Sequence, residues 1–304
     1  MRCSSPNPSR VTMNSMPETD AVRPDVLRPT VDASQFGVVQ RPLSIGERIY
    51  NIGAVRKLAI LVLLAVAWEI YARWLHNDLL FPTFSATLRA FAEAMISGGL
   101  LGKAWTSIKV LLIGYSAGIA LAAVLTTVAI SSRVGTDLLE TLTSMFNPLP
   151  AIALLPLALI WFGLGSGSLV FVLIHSVLWA VALNTHSGFL SVSTTLRMVG
   201  RNYGLHGLSY VGRILIPAAF PSILTGLKIG WAFAWRTLIA AELVFGVSSG
   251  SGGLGWFIYE NKNQLEIANV FAGLFTVIMI GLLVENVIFR TIEQRTVRKW
   301  GMQN

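Results

Sequence analysis

The chain has 304 residues, of which 54% are hydrophobic and only 12% charged, about half the charged share of a soluble domain, so water is a poor solvent for most of it. Cys3 is the only cysteine, which excludes a disulfide scaffold, a metal finger and CxxC redox chemistry. Lys plus Arg number 23 against 15 Asp plus Glu, but this excess of +8 sits in an N-terminal arm, between apolar runs and in the tail, a membrane-topology pattern that leaves no nucleic-acid surface.

With a mean hydropathy of +0.64 and apolar runs near the roughly 20 residues that cross a bilayer, the expected class is an all-α polytopic protein with about six transmembrane helices. Residues 1–45 carry Pro6, Pro8, Pro17, Pro24, Pro29 and Pro42 without apolar periodicity, predicting a disordered arm with no cleavable leader. A membrane domain follows over 46–290, with its core at 104–290, and a basic tail closes the chain at 291–304.

Arg48, Arg56 and Lys57 precede the first run, Leu58–Leu75, and keep the N-terminus cytoplasmic, so span one runs outward. The stretch 76–103 suits an external loop with a short amphipathic helix near Ser85–Ile96. Span two is expected at 104–130, and span three at 138–162 after a short loop containing Arg133. A turn at Gly163–Ser168 leads into span four, which ends near Leu190. The stretch 191–216 holds Arg197, Arg201 and Arg213 with no acid and reads as cytoplasmic. Span five covers 218–245, a Ser/Gly-rich external segment 247–255, and span six 267–289 before Arg290, Arg295, Arg298 and Lys299. Six spans place both termini in the cytoplasm.

Within 191–216, Gly204 is followed by nine residues and then Ile214-Leu-Ile-Pro217. The pattern predicts a short helix to about Tyr203, a reversal at Gly204 where positive φ costs glycine nothing, a second short helix to Ile216, and Pro217 in the first turn of span five. Leu196, Val199, Leu205 and Leu208 give these helices an apolar face beside the arginines, forming a docking knob; an amphipathic loop lying on the bilayer is the alternative. Gly114 with Gly118, and Gly226 with Gly230, are small-xxx-small pairs that serve either a subunit interface or packing inside one bundle. Pro148, Pro150 and Pro156 interrupt span three, predicting either a kinked, route-lining helix with Asn147 near its cytoplasmic end or a plain packing kink.

The loop resembles the cytoplasmic EAA loop, E-A-A-x3-G-x9-I-x-L-P, of the membrane subunit of bacterial ATP-binding-cassette importers. Met198, Val199 and Gly200 stand in place of the triplet and Ile216 in place of the leucine. The resemblance spans about 85–300, and the stretches 147–163, 217–226, Ala240-Ala-Glu-Leu243 and Gly253-Leu-Gly255 are similar to the nitrate/sulfonate/taurine branch. It implies a permease subunit paired with a second copy, a periplasmic solute-binding protein, and cytoplasmic ATPase subunits that carry ATP and Mg. The coupling role would then fall to Leu196, Val199, Gly200, Arg201, Gly204, Leu205, Leu208, Ile214 and Pro217. The family's acidic contact is missing from this loop. The implied solute is a sulfonate, taurine, nitrate or an aromatic carboxylate, with a pyrimidine-type nutrient as the alternative.

Glu69, His175, Arg236 and Glu242 are ionisable groups inside apolar spans, where such groups mark a route or a partner. Arg236 and Glu242 are about 240° apart round a helix and form no local pair. Together with Asn147, Pro148, Pro150 and Pro156 they are the candidate route residues. His175 is expected to be a hydrogen-bonded bundle residue, and Glu69 to snorkel at the external boundary. No catalytic residue, metal site or bound cofactor is expected. The GxSxG match at 246–250 lacks a preceding strand and a following His, and no GxxxxGK[ST] loop is present to cradle ATP. A secondary transporter working without ATP would need midplane coupling groups or inverted repeats, and neither is visible.

Overall fold

A computed structural model describes residues 51–96, 99–245 and 252–298. The expected arm at 1–45, the GxSxG match and Lys299 lie outside the described residues. The chain divides into two compact units, 1–57 and 58–304, and the helical bundle belongs to the second.

Helices are the only extended regular structure among the described residues, with no strand among them. In chain order the helices are α1 (Gly53–Leu75), α2 (Phe84–Ile96), α3 (Gly99–Ser131), α4 (Arg133–Phe146), α5 (Leu155–Phe162), α6 (Ser166–Ser191), α7 (Thr194–Asn202), α8 (Gly207–Tyr210), α9 (Ile216–Phe245), α10 (Leu254–Asn263), α11 (Ile267–Leu283) and α12 (Arg290–Glu293). Five helical stretches are long and apolar enough to cross a membrane; a sixth crossing exists if the bent pair Arg133–Phe146 and Ala151–Phe162 counts as one. The chain is thus an all-α, multi-pass membrane protein.

Burial ranks the spans. The α6 stretch is 56% buried, whereas α1 is 6% buried and presents apolar side chains on all sides, as suits a helix solvated by lipid. α6 is central because α3 and α9 both pack along it. Gly114 and Gly118 bring α3 against the side chains of Leu173 and Val177, and Gly226 and Gly230 bring α9 against Asn184, Val181 and Val177. Val177 is therefore held between two glycines, and both small-residue pairs serve packing within this chain. Without a hydrophobic force between helices in lipid, such close backbone approach supplies the dispersion contact that holds them together.

Glu69 has local partners beyond the snorkelling expected of it. Its carboxylate pairs with Arg73 at 2.7 Å and accepts hydrogen bonds from the Ser85 N–H at 3.0 Å and Oγ at 2.9 Å. An anion at the first turn of α2 complements the helix dipole, so local partners stabilise the charge.

The expected span three is broken. Asn147-Pro-Leu-Pro150 separates α4 from a 3-10 turn at Ala151–Leu154, and the two arms bend by 87°. Pro148 and Pro150 have no N–H to continue a helix, but Pro156 does not interrupt anything. It stands in the first turn of α5, where the missing N–H costs nothing. The second loop helix also differs from expectation: α8, a π segment at Val211–Leu215 and α9 run on without a break. Pro217 is the second residue of α9 and so stands in its first turn as expected, while Pro221 lies inside that helix. Helix α10 lies where the sequence pointed only to loop.

Candidate functional site

The break at 147–150 faces the middle of α6 and α9. Between them lies a cavity of about 380 Å³ lined by Asn147, Pro148 and Pro150, by His175, Ser176 and Trp179, and by Phe233, Arg236 and Thr237. Irregular backbone at membrane depth is tolerated where protein or a water-filled cavity covers it, and here α6, α9 and a cavity flank the break. His175 is nine residues from the start of α6 and Arg236 nine from the end of α9, about 14 Å in each case, which sets these two residues about a third of the way along each helix. Asn147 is the C-cap of α4, where the broken span begins its bend.

Arg236 donates Nε–H to the Ala232 carbonyl at 3.0 Å and lies 5.5 Å from the Phe233 ring centroid, and no carboxylate pairs with it among the described residues. Ser176 Oγ donates to Thr237 Oγ1 at 3.0 Å, linking α6 to α9 at the cavity wall. Trp179 stacks on Phe146 with the rings 7° from parallel and receives the edge of His175 at 6.0 Å. The Trp179 indole nitrogen and both His175 ring nitrogens are buried without a hydrogen bond of ordinary geometry among the described residues, although the Phe146 carbonyl lies near the imidazole. His175 is therefore not the satisfied bundle residue expected.

Of the candidate route residues, Asn147, Pro148, Pro150 and Arg236 meet here, whereas Pro156 and Glu242 do not line the cavity. Ser176, Thr237 and Trp179 were missed. The signal for the hydroxyls was present: each ionisable residue of the cavity, His175 and Arg236, is followed directly by one.

Glu242 instead builds a buried anchor. Ser107 Oγ lies 2.8 and 2.9 Å from its two carboxylate oxygens and donates to them, while the Gly255 N–H donates to Oε2 at 2.8 Å. Ser107 Oγ in turn accepts from the Leu254 N–H at 2.8 Å, so one hydroxyl and one carboxylate satisfy the first N–H groups of α10. A Cβ at Gly253 would overlap the Glu242 carboxylate and Ser107 Oγ, and one at Gly255 would overlap Glu242 Cβ and the Ile239 carbonyl. The Ala-Ala-Glu-Leu and Gly-Leu-Gly stretches are thus the two halves of one contact.

At the far end of α6, the 191–216 loop passes from α7 through a tight turn into the continuous run of α8, the π segment and α9. Ser193 Oγ accepts from the Leu196 N–H at 3.4 Å to cap α7. At the other end, the Gly204 N–H donates to the Arg201 carbonyl at 2.9 Å and the Leu205 N–H to the Gly200 carbonyl at 3.1 Å, with Gly204 at φ +72°. This pair of bonds is a Schellman closure, which needs a left-handed residue at the glycine position. Gly200 is buried where a Cβ would press on Ile214 and Tyr210, so its lack of a side chain lets α7 pack on the π segment. Arg197 folds back to donate to the Val192 and Phe189 carbonyls at the end of α6. Leu196, Met198, Val199 and Tyr203 are exposed, Tyr203 at 82%, and Arg201 faces a cleft shared with Arg133 and His206. Leu205, Ile214 and Pro217 are half-buried, and the Leu208 side chain is outside the described part of the molecule. No cluster of three or more potential metal ligands occurs among the described residues.

Residues 114–299 match the family of binding-protein-dependent transport system inner membrane components. A putative ABC transporter permease protein of Methanocaldococcus jannaschii is 31% identical over 76% of this chain and 87% of its own length. The nitrate import permease protein of Synechocystis is 29% identical over 82% of this chain and 90% of its own. A putative aliphatic sulfonates transport permease protein of Escherichia coli is 28% identical over 73% of this chain and 83% of its own.

Proposed function

Because the chain belongs to the family of binding-protein-dependent transport system inner membrane components, we propose that it is the permease subunit of an ATP-driven importer, forming the route for a small organic anion or oxyanion. The observation that carries the solute class is the cavity beside the break at 147–150, where an arginine faces the space with no carboxylate paired to it among the described residues. A cation facing such a space disfavours a cationic solute and favours an anion. Relatives named for nitrate and aliphatic sulfonates agree with it.

The 191–216 knob supplies the coupling surface. It carries exposed apolar side chains and arginines with no acid in the same stretch, which suit a cytoplasmic ATPase with an acidic-rimmed apolar groove. ATP and Mg would bind that partner, since this sequence has no phosphate-cradling loop. A periplasmic binding protein delivers the solute at the opposite membrane face, and a second copy of the permease completes the route in the bacterial inner membrane. Closure of the ATPase pair moves the knob, and α6, which ends at the knob and lines the cavity, conveys that displacement to the route. The purified permease alone should hydrolyse no ATP, and co-expression with its ATPase should yield a complex whose hydrolysis rises when solute-loaded binding protein is added. Hydrolysis by the permease alone, or no complex at all, would reject the assignment.

A further inference from the structure

The cavity shows more than a gap between helices. Among the described residues it has an arginine whose other guanidinium donors meet no acceptor, a hydroxyl pair joining two spans, and buried nitrogens on His175 and Trp179 without ordinary hydrogen bonds. A buried polar group left unpaired costs about 1–3 kcal/mol, and a charged residue inside a span costs more, so a chain that needed only packing would place apolar side chains here. The volume of about 380 Å³ falls at the low end of small-molecule sites, fitting a solute of a few to some ten heavy atoms.

We propose that this cavity is an anion-binding station inside the permease, at which Arg236 recognises the negative group, the Ser176–Thr237 hydroxyls donate to its oxygens, and Trp179 and Phe233 wall the uncharged remainder. The station rests on the permease role proposed above, and it adds that the membrane subunit itself selects for charge. Arginine suits the task because its planar fork matches sulfonate, nitrate or carboxylate oxygens. The hydroxyls bond to each other when the station is empty and turn to the anion when it is filled. His175 stands beside Ser176 as a further donor once the helices part.

The test uses the full chain in its own membranes, carrying Cys3→Ser and Ala240→Cys. Ala240 lines the cavity one helical turn from Arg236. The thiol is reacted with an anionic sulfonatoethyl and a cationic trimethylammonioethyl methanethiosulfonate, and the rate ratio is compared with that of free cysteine. A local cation should raise the anionic preference by about tenfold or more. Arg236→Gln should remove that preference and Arg236→Lys should keep most of it. Millimolar nitrate or methanesulfonate should slow labelling, and choline should not. If Arg236→Gln does not accumulate, Ser176→Ala with Thr237→Val should weaken protection by the anions while leaving the charge preference. An anionic preference indifferent to Arg236→Gln, protection indifferent to loss of both hydroxyls, or a thiol that neither reagent reaches in any nucleotide state would overturn the station. Charge preference in a chain that shows no ATP-dependent uptake would keep the station and reject the importer.

Discussion

At the residue scale, Gly204 and Glu242 have roles that the geometry separates cleanly. A Cβ at Gly204 meets nothing within 4 Å, so a substitution there is penalised only through its φ of +72°. That strain is about 1–2 kcal/mol for an ordinary residue, less for Asn, and comparable with the coupling energies of about 1–3 kcal/mol that link distant sites. Gly204→Val should therefore reach the membrane at near-normal abundance but retain less ATPase on co-purification, and Gly204→Asn should be milder. Equal retention by both would detach the loop from the ATPase. Glu242 works through satisfied hydrogen bonds: Glu242→Gln places an N–H donor against donors and should lower stability by about 1–3 kcal/mol, read as the melting temperature in detergent. Gly253→Ala should cost at least as much, since its Cβ overlaps the same carboxylate. An unchanged melting temperature in both variants would mean that the anchor contributes nothing.

At the scale of elements, α6 is the axis on which α3 and α9 are mounted, and the glycines at 118 and 230 set the spacing. Gly118→Val has no room beside Val177, so it should leave the protein poorly accumulated and protease-sensitive in the membrane. Normal accumulation would show that α3 can stand off α6 without loss. Most spans were legible in the sequence because an apolar run long enough to cross a bilayer has few other folds open to it. The loop was legible for a different reason: a glycine at a fixed distance from Ile-x-Ile-Pro marks a turn that only a left-handed residue closes. The break in span three was only half legible. Three prolines look alike in sequence, and only the helix around each decides that Pro148 and Pro150 end a helix while Pro156 begins one. The Ser107–Glu242 contact joins residues 135 apart, and no local pattern can announce it. The cavity was visible in part, through Asn147, the prolines and Arg236, while its hydroxyls and Trp179 looked like ordinary span residues.

At the scale of the molecule, the cavity, the anchor and the knob lie at different levels along the helices of one assembly. The distribution of cations predicts an orientation with the knob in the cytoplasm. Single-cysteine labelling with an impermeant reagent, in a Cys3→Ser background, should reach position 78 in intact cells and position 201 only after permeabilisation; labelling of 201 from outside would invert the topology. The central claim is that ATP hydrolysed on a partner drives a small anion through this chain. Its most direct test is uptake of labelled taurine, methanesulfonate or nitrate by proteoliposomes holding the permease–ATPase complex, with the binding protein outside. Uptake of at least one of these should require hydrolysable ATP inside and should survive ionophores that dissipate ion gradients. Uptake that continues without ATP, or that collapses with the gradients while ATP is present, would contradict the account.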